Sequence, residues 1–299
     1  MIKNILSFSN PFHLSVRWQQ LVITPKEEGG KEIIRSIEDI GYVFLDHPQI
    51  TYTHAVLQLL AENNVAIVIC DARHHPSSMM MHLDTHHIQA ERFRAQIAAS
   101  EPLRKQLWQQ TVKVKIRNQA AVLAKAGAAT AAAALNNLAN KVLSGDITNC
   151  EAQAARIYWK ALFGTDFERF REGLPPNPSL NYSYAIVRAA VARALVGSGL
   201  LATLGIHHRN KYNAFALADD IMEPYRPFTD WLVFKQVSSI PDYHVLTPER
   251  KAEYLDLLNC DCIIKGQTSP MQIAMEITAA SLAKCFEGAL RKIEYPTLP

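Results

Sequence analysis

The spacing of hydrophobic and polar positions changes near residue 72. Before it, short β-branched and aromatic runs are separated by turn residues, and in the segment HLSVRW the apolar Leu14 and Val16 alternate with Ser15 and Arg17. Alternation with a period of two is typical of a strand with one buried face. Residues 1–72 therefore predict a small β-rich domain, to which the segment THAVLQLLAENN adds one helix.

The polar segment DARHHPSS predicts a linker, assigned to residues 73–80, and after it the spacing is helical. One long helix is predicted to begin after Ser100, whose hydroxyl can cap it, with Pro102 in its first turn. The segment YSYAIVRAAVARALVGSGLLATL is apolar on nearly every side and predicts a helix in the core. The final EYPTLP predicts a loose tail. The predicted fold class is α+β, a small N-terminal β-rich domain followed by a larger all-α catalytic domain over residues 81–299.

Composition narrows the class of protein only a little. Hydrophobic residues make up 48% of the 299 positions, enough for a substantial core, and the net charge of +3 does not by itself indicate a nucleic-acid binder. The five cysteines form no dense disulfide framework, and no stretch of about 20 apolar residues predicts a membrane span. We expect an intracellular protein that does not contact a membrane.

Acidic and imidazole side chains are dispersed along the C-terminal half. Two carboxylates with one neutral imidazole suit a hard divalent cation such as Mg²⁺ or Mn²⁺. On a helix, positions 219 and 220 would each share a face with position 223. A glutamate in the first turn of a helix, as at 151, is also explained by the helix dipole. The candidates are Glu151, His207, His208, Asp219, Asp220 and Glu223.

Four segments over roughly residues 145–235 resemble a known family: EAQAARIYW, NYSYAIVRAAVARALVGSGL, GIHH and LADDIMEPYRPFTDW. Their order and separations are similar to those of the CRISPR adaptation integrase, which inserts new spacers into a CRISPR array. Glutamate at position 223 is similar to versions from single-protein-effector (type II) systems. The resemblance implies a metal-dependent DNA endonuclease/integrase of the prokaryotic cytoplasm. Its catalytic residues and Mg²⁺ or Mn²⁺ ligands would be Glu151, His208 and Glu223, with Asp219 and Asp220 as accessory acidic residues; the adjacent His207 leaves the liganding ring open.

The implied reaction is attack of a 3′-hydroxyl of the incoming DNA fragment on a phosphodiester of the repeat, a transesterification. Basic side chains would hold the double-stranded DNA through its phosphates. Those singled out are Arg156, Lys160, Arg209, Lys211 and Arg226, with Lys113, Lys115 and Arg117 of the segment KVKIR. The family also implies a homodimer, formed largely through the β-rich domain, and a small second CRISPR adaptation protein in a larger integration complex. Participation of the effector nuclease in choosing DNA ends is left open.

Two other classes of function remain open from the residues. One is a metal-dependent phosphoesterase acting on a small molecule, and the other is a non-catalytic helical DNA-binding scaffold. A second histidine concentration includes His82 and His86, whose spacing of four suits one metal, but no third ligand lies nearby in sequence. We interpret it as a linker that runs into a helix.

Overall fold

The computed structural model describes residues 3–27, 29–72, 74–80, 86–170, 172–239 and 247–299. The chain forms two compact units, the first comprising Met1–Leu83 and Pro248–Asp256 and the second Asp84–Thr247 and Leu257–Pro299. His82 lies outside the described residues.

Within its described residues, the first unit contains two four-stranded sheets. The first sheet has the order β1-β5-β7-β8, in which β8 is antiparallel and the other three strands are parallel. The second sheet has the order β4-β3-β2-β6. The strands are β1 (Asn4–Phe8), β2 (Phe12–Arg17), β3 (Gln20–Pro25), β4 (Ile33–Ser36), β5 (Ile40–Leu45), β6 (Thr51–Tyr52), β7 (Ala66–Cys70) and β8 (Pro76–Met80).

Alternation along β2 has the predicted result. Leu14 is buried with 1% exposure, whereas Arg17 at the strand end is exposed. Helix α1 (His54–Glu62) adds Val56 and Leu60 to the same hydrophobic cluster. The prediction of a β-rich unit with one helix in the N-terminal region is confirmed in its element types.

The linker predicted over 73–80 was wrong for residues 76–80. Strand β8 pairs with β7, and Ser77 and Ser78 are exposed there because β8 is an edge strand with one free side. A proline at the first residue of an edge strand costs no ladder hydrogen bond. The polar composition that suggests a linker is thus that of a solvent-facing strand.

A later segment also belongs to the first unit. Helix α9 (Pro248–Asp256) contacts β1, and the Nζ of Lys251 lies 3.0 Å from Asp46 Oδ2. His74 contacts the other oxygen of Asp46 at 2.9 Å. The prediction that residues 81–299 form one continuous domain was therefore wrong for 248–256, because the two ends of this ion pair are far apart in sequence.

The second unit is mostly helical. Its helices are α2 (Gln89–Ile97), α3 (Glu101–Lys125), α4 (Ala129–Lys141), α5 (Cys150–Phe163), α6 (Asn177–Gly197), α7 (Ala216–Met222), α8 (Arg226–Ser239) and α10 (Met271–Phe286). In the part of this unit that the structure describes, 3-10 turns lie at Ser144–Asp146, Glu223–Tyr225 and Leu257–Asn259, and the hairpin β9 (Asp261–Ile264) and β10 (Gln267–Pro270) precedes α10. The α+β class is confirmed, although this hairpin means that the second unit is not wholly helical.

Helices α3 and α6 organise the second unit. The Ser100 hydroxyl accepts a hydrogen bond from the Leu103 N–H (3.4 Å), which confirms the predicted cap of α3. Helix α6 is buried on nearly all sides, as its apolar composition predicts. Helix α3 contacts α4, α5, α7 and α8, so its side chains reach several elements at once. Within the described residues, no helix is both long and apolar enough to cross a membrane.

The C-terminal tail is packed, so the prediction of a loose tail was wrong. Tyr295 is 8% exposed and its hydroxyl lies 2.8 Å from the Thr111 hydroxyl on α3. Asn118, also on α3, donates to the carbonyl of Pro296 (3.1 Å), and Thr297 pairs with Ile263 of β9. The prolines prevent regular secondary structure in the tail. The burial of the Tyr295 ring and the two backbone contacts nevertheless hold the tail against the helical unit.

Candidate active site

The start of α5 is fixed by a carboxylate that precedes the helix. Asp146 accepts hydrogen bonds from the backbone N–H groups of Cys150 (2.9 Å) and Glu151 (3.0 Å). Asn149, at the N-cap position, makes no side-chain capping bond. Since the first N–H groups of a helix need acceptors, Asp146 acts as the cap. Asp146 thereby fixes the residue at which α5 begins, and so places Glu151 in the first turn of the helix.

The side chain of Lys115 lies between two of the predicted site residues. Its Nζ is 2.5 Å from Glu151 Oε1 and 2.5 Å from Glu223 Oε2, and Lys115 is only 9% exposed. Burial alone would lower the pKa of Lys115, but the charges of Glu223 and Glu151 outweigh it and raise that pKa above its ordinary value. Lys115 was also named among the predicted phosphate contacts, and in this structure its ammonium group is engaged by the two glutamates.

Glu223 is buried with 4% exposure in the 3-10 turn between α7 and α8. Asn118, almost one turn after Lys115 on α3, donates to the Pro224 carbonyl (2.8 Å) and so holds this turn over the lysine. Burial would raise the pKa of Glu223, but Arg226 and Lys115 hold it below its ordinary value. Glu223 Oε2 is buried, and the Lys115 ammonium group at 2.5 Å supplies the positive charge beside it.

Arg226 faces the site rather than the open surface. Its Nη2 lies 3.2 Å from Glu223 Oε1, and its guanidinium lies 4.8 Å from the centre of the Tyr184 ring. The side chain is 31% exposed. Arg226, which was predicted to contact DNA, therefore has its charge directed at a site carboxylate.

The histidine pair is held by one buried carboxylate. Asp220, with 0% exposure, accepts hydrogen bonds from the backbone N–H groups of His207 (2.9 Å) and His208 (3.3 Å), and its Oδ1 lies 2.5 Å from His208 Nδ1. Gly205 permits this close approach: a Cβ there would lie 2.5 Å from the His208 carbonyl oxygen and 2.8 Å from Asp220 Oδ2. The hydrogen bond to Asp220 raises the pKa of His208, although burial opposes it.

The two imidazoles have different environments. The His207 ring stacks on the indole of Trp108, with 4.2 Å between centroids and 2° between planes, and burial lowers the pKa of His207. His208 presents Nδ1 to Asp220, an acceptor, so its proton belongs on Nδ1 and the lone pair on Nε2. Glu223 and Glu151 lie near enough for their charges to raise the pKa of His208 further. This tautomer is the one that suits a metal ligand through Nε2.

Asp219 and the predicted basic residues lie around this centre. Asp219 Oδ2 accepts a hydrogen bond from Asn213 Nδ2 (2.7 Å), which ties it to the loop after the histidines. A cavity of about 610 Å³ borders His208 and is lined in part by Arg209, Lys211 and Tyr212. Two more of the predicted basic residues, at positions 156 and 160, are exposed on α5.

A second buried carboxylate, Asp230 on α8, accepts hydrogen bonds from the hydroxyls of Tyr158 (3.0 Å) and Tyr184. Burial raises the pKa of Asp230 to about 7, although both hydrogen bonds favour the ionised form. Since the Tyr184 ring also lies against Arg226, this cluster supports the arginine that contacts Glu223.

Among the described residues, no three His, Cys, Asp or Glu side chains converge closely enough in their present rotamers to hold a metal ion. Glu151 and Glu223 are both engaged by Lys115, and His208 is engaged by Asp220. The structure thus brings Glu151 and Glu223 to one ammonium group. The His208 imidazole, oriented by Asp220, is close enough for the charges of both glutamates to raise its pKa.

Comparison with a family model, described as CRISPR associated protein Cas1, gives a match over residues 6–240. The chain belongs to the Cas1 family. A CRISPR-associated endonuclease Cas1 from Neisseria meningitidis is 38% identical over 262 residues, covering 88% of this chain and 85% of the relative. A second relative of that name, from Pyrobaculum aerophilum, is 29% identical over 225 residues, covering 71% and 76%. The resemblance to the CRISPR adaptation integrase is therefore confirmed.

Solved structures show the same Cas1 fold at low sequence identity. A casposase bound to integration product has a TM-score of 0.77 at 18% identity and covers 98% of this chain and 92% of its own. A Cas1 protein from Thermotoga maritima has a TM-score of 0.75 at 16% identity and covers 95% and 97%.

Sequence reasoning missed three residues that shape this Cas1 site: Asp146, Trp108 and the ion-pair role of Lys115. One signal was available for the lysine. Positions 108, 112, 115 and 119 follow the helical spacing of a buried stripe, so Lys115 falls where an apolar residue is expected. A lysine on a core position predicts a buried carboxylate partner. The pattern could not have said which carboxylates.

Proposed function

We propose that this chain is the DNA-integrating endonuclease of CRISPR adaptation. It joins a 3′-hydroxyl of an incoming DNA fragment to a phosphodiester of the CRISPR repeat, so that one phosphodiester replaces another without a covalent enzyme intermediate. The observation that carries the proposal is the meeting of Glu151 and Glu223 at one buried point, beside a His208 oriented by Asp220. The relatives named above as CRISPR-associated endonucleases support it.

Glu151, Glu223 and His208 Nε2 would hold the Mg²⁺ or Mn²⁺ ion. The residues fit such an ion because Glu151 and Glu223 both direct carboxylate oxygens at one cation, the Lys115 ammonium group, and His208 carries the tautomer that leaves Nε2 as a donor atom. When bound, the ion would neutralise the negative charge that develops on the phosphate oxygens during the reaction. Asp220 fixes the imidazole, and we assign His207 a packing role on Trp108.

DNA reaches the site along the cavity beside His208. Arg209 and Lys211 line this cavity, and Arg156 and Lys160 are exposed on the helix that carries Glu151. Their charges neutralise phosphates without reading base sequence, which makes binding dependent on salt. Tyr212 is 82% exposed in the same loop, and an exposed aromatic ring can stack on an unpaired base.

The proposed reaction requires two active sites, because the two ends of one fragment are inserted at separate positions. We therefore propose a homodimer that works in the prokaryotic cytoplasm with double-stranded DNA and a small second adaptation protein. A solved Cas6-RT-Cas1–Cas2 complex supports this assembly by its fold similarity, with a TM-score of 0.72 at 18% identity. Participation of the effector nuclease is a separate question that the reaction itself does not require.

The test is strand transfer on a labelled branched DNA, with Mn²⁺, Mg²⁺ or EDTA. We expect joining that depends on metal, is lost in Glu151→Ala, His208→Ala and Glu223→Ala, and is retained in His207→Ala. Glu168→Ala, which removes an exposed glutamate of the same unit, is the matched control. Joining that survives Glu151→Ala would contradict the assigned site. Absence of joining in wild type with either metal would favour the scaffold, and turnover of a phosphomonoester unaffected by DNA would favour the small-molecule enzyme.

A further inference from the structure

Lys115 has an unusual position for a lysine in the middle of a helix. It is 9% exposed, and its Nζ contacts carboxylate oxygens that come from two other elements, Glu151 on α5 and Glu223 in the turn after α7. A buried ammonium group is retained only where partners compensate for its lost hydration. Here both partners are residues assigned above to the metal ion.

The ammonium group stands where a divalent cation would contact the same two carboxylates. Both Nζ–oxygen distances are 2.5 Å, so the positive charge is shared between Glu151 Oε1 and Glu223 Oε2. Divalent Mg²⁺ binds such oxygens at about 2.0–2.1 Å. Two cations in contact with the same pair of oxygens would lie a few ångströms apart, and their repulsion would weaken the binding of each. Lys115 and the metal ion therefore compete.

The charges around the glutamates explain why this competition matters. Glu151 and Glu223 carry two negative charges, and Lys115 and Arg226 carry two positive charges within 2.5–3.2 Å of them. The charges of these four side chains thus cancel one another without any ion. A divalent cation added to them would create an excess of positive charge unless Lys115 withdrew or a DNA phosphate entered.

We infer that Lys115 is a tethered counter-cation that occupies the metal position in the metal-free protein and withdraws from the two glutamates when the divalent ion binds. This inference rests on the proposed metal site. Lys115 stabilises the empty site and weakens metal binding in the absence of DNA. It is a positioning residue, because it acts on the ligands and not on the reacting atoms.

The first test measures Mn²⁺ binding without DNA, by the electron paramagnetic resonance signal of free Mn²⁺, in wild type and Lys115→Met. Removing the competing charge should tighten binding by about tenfold, an ordinary size for coupling between two ligands of one protein. Lys115→Arg keeps the charge and should stay near the wild-type affinity. Lys125→Met is the matched control: Lys125 is exposed at the end of the same helix, has no ion pair with the described residues, and should leave Mn²⁺ binding unchanged. Equal or weaker binding by Lys115→Met would overturn the inference.

A second measurement uses the wild-type protein and so does not depend on folding of a variant. Lysine amines are labelled by reductive methylation in EDTA and in saturating Mn²⁺, and the labelled positions are read by mass spectrometry. Labelling of Lys115 should rise with Mn²⁺ while that of Lys125 stays constant. Unchanged or reduced labelling of Lys115 would mean that the ammonium group does not withdraw. If wild type binds no Mn²⁺, the proposed metal site fails together with the inference; if it binds Mn²⁺ and Lys115 does not respond, only the inference fails.

Discussion

The buried carboxylate Asp230 should make the helical unit less stable as pH rises. Burial raises the pKa of Asp230 to about 7 in the folded protein, against an ordinary value of 3.8. The folded state therefore holds a proton that the unfolded state has released over this range. Its contribution to stability is fully present below about pH 4 and is lost as pH rises through 7.

The magnitude follows from linkage. Between pH 5 and pH 8 a carboxyl group with these two pKa values loses about 3 kcal/mol of stability, at 1.36 kcal/mol per pH unit in the range where the proton numbers differ. Asp230→Asn is neutral at every pH and keeps a group that can bond to Tyr158 and Tyr184. The free energy of unfolding of this variant minus that of wild type should therefore increase by about 3 kcal/mol from pH 5 to pH 8.

Urea unfolding followed by tryptophan fluorescence is the assay, because three of the four tryptophans (Trp108, Trp159 and Trp231) lie in the helical unit. Asp166→Asn is the matched control: Asp166 is exposed after α5, so its solvation changes little on folding, and its removal should leave the pH dependence of wild type intact. A difference between Asp230→Asn and wild type that stays constant from pH 5 to pH 8 would refute the reasoning, since Asp230 would then be ionised throughout.

Three further outcomes follow from the same contacts. Gly205→Ala should destabilise the protein by about 1–3 kcal/mol, because its Cβ would meet the His208 carbonyl, whereas Gly197→Ala meets nothing within 4 Å and should be neutral or stabilising; equal urea midpoints would contradict this. Asp220→Asn should weaken Mn²⁺ binding about 10–100-fold by disturbing the imidazole, and unchanged affinity in calorimetry would show that Asp220 does not orient the ligand. Lys211→Ala should reduce the slope of log affinity for duplex DNA against log salt by about one, and an unchanged slope would remove Lys211 from the DNA path.

The sequence predicts well those elements whose local residue pattern matches the burial of the same residues in the folded protein. The Ser100 cap is one case, because the bond that starts α3 joins residues three positions apart. Helix α6 is another, because a helix that is apolar on nearly every side is stable only when it is buried. Strand β8 and helix α9 failed for the opposite reason. The pairing of β8 depends on a free sheet edge, and the place of α9 depends on Asp46, some 200 residues earlier in the chain.

The candidate site divides in the same way. The segments around Glu151 and Glu223 were recognisable from their residues. Nothing in either segment indicates that both carboxylates contact the ammonium group of Lys115. Lysine, arginine and aspartate are residue types expected at the surface, so buried examples are visible only after their partners are known. Lys115 and Asp230 share this property: each lies on a buried face of its helix, and each is compensated by side chains from two other elements. A charged residue on an apolar helical stripe is therefore a sequence signal that its helix lies beside a polar site, even when the partners must come from the structure. In this chain that signal marks α3, the helix from which Lys115 reaches both glutamates and Trp108 supports His207.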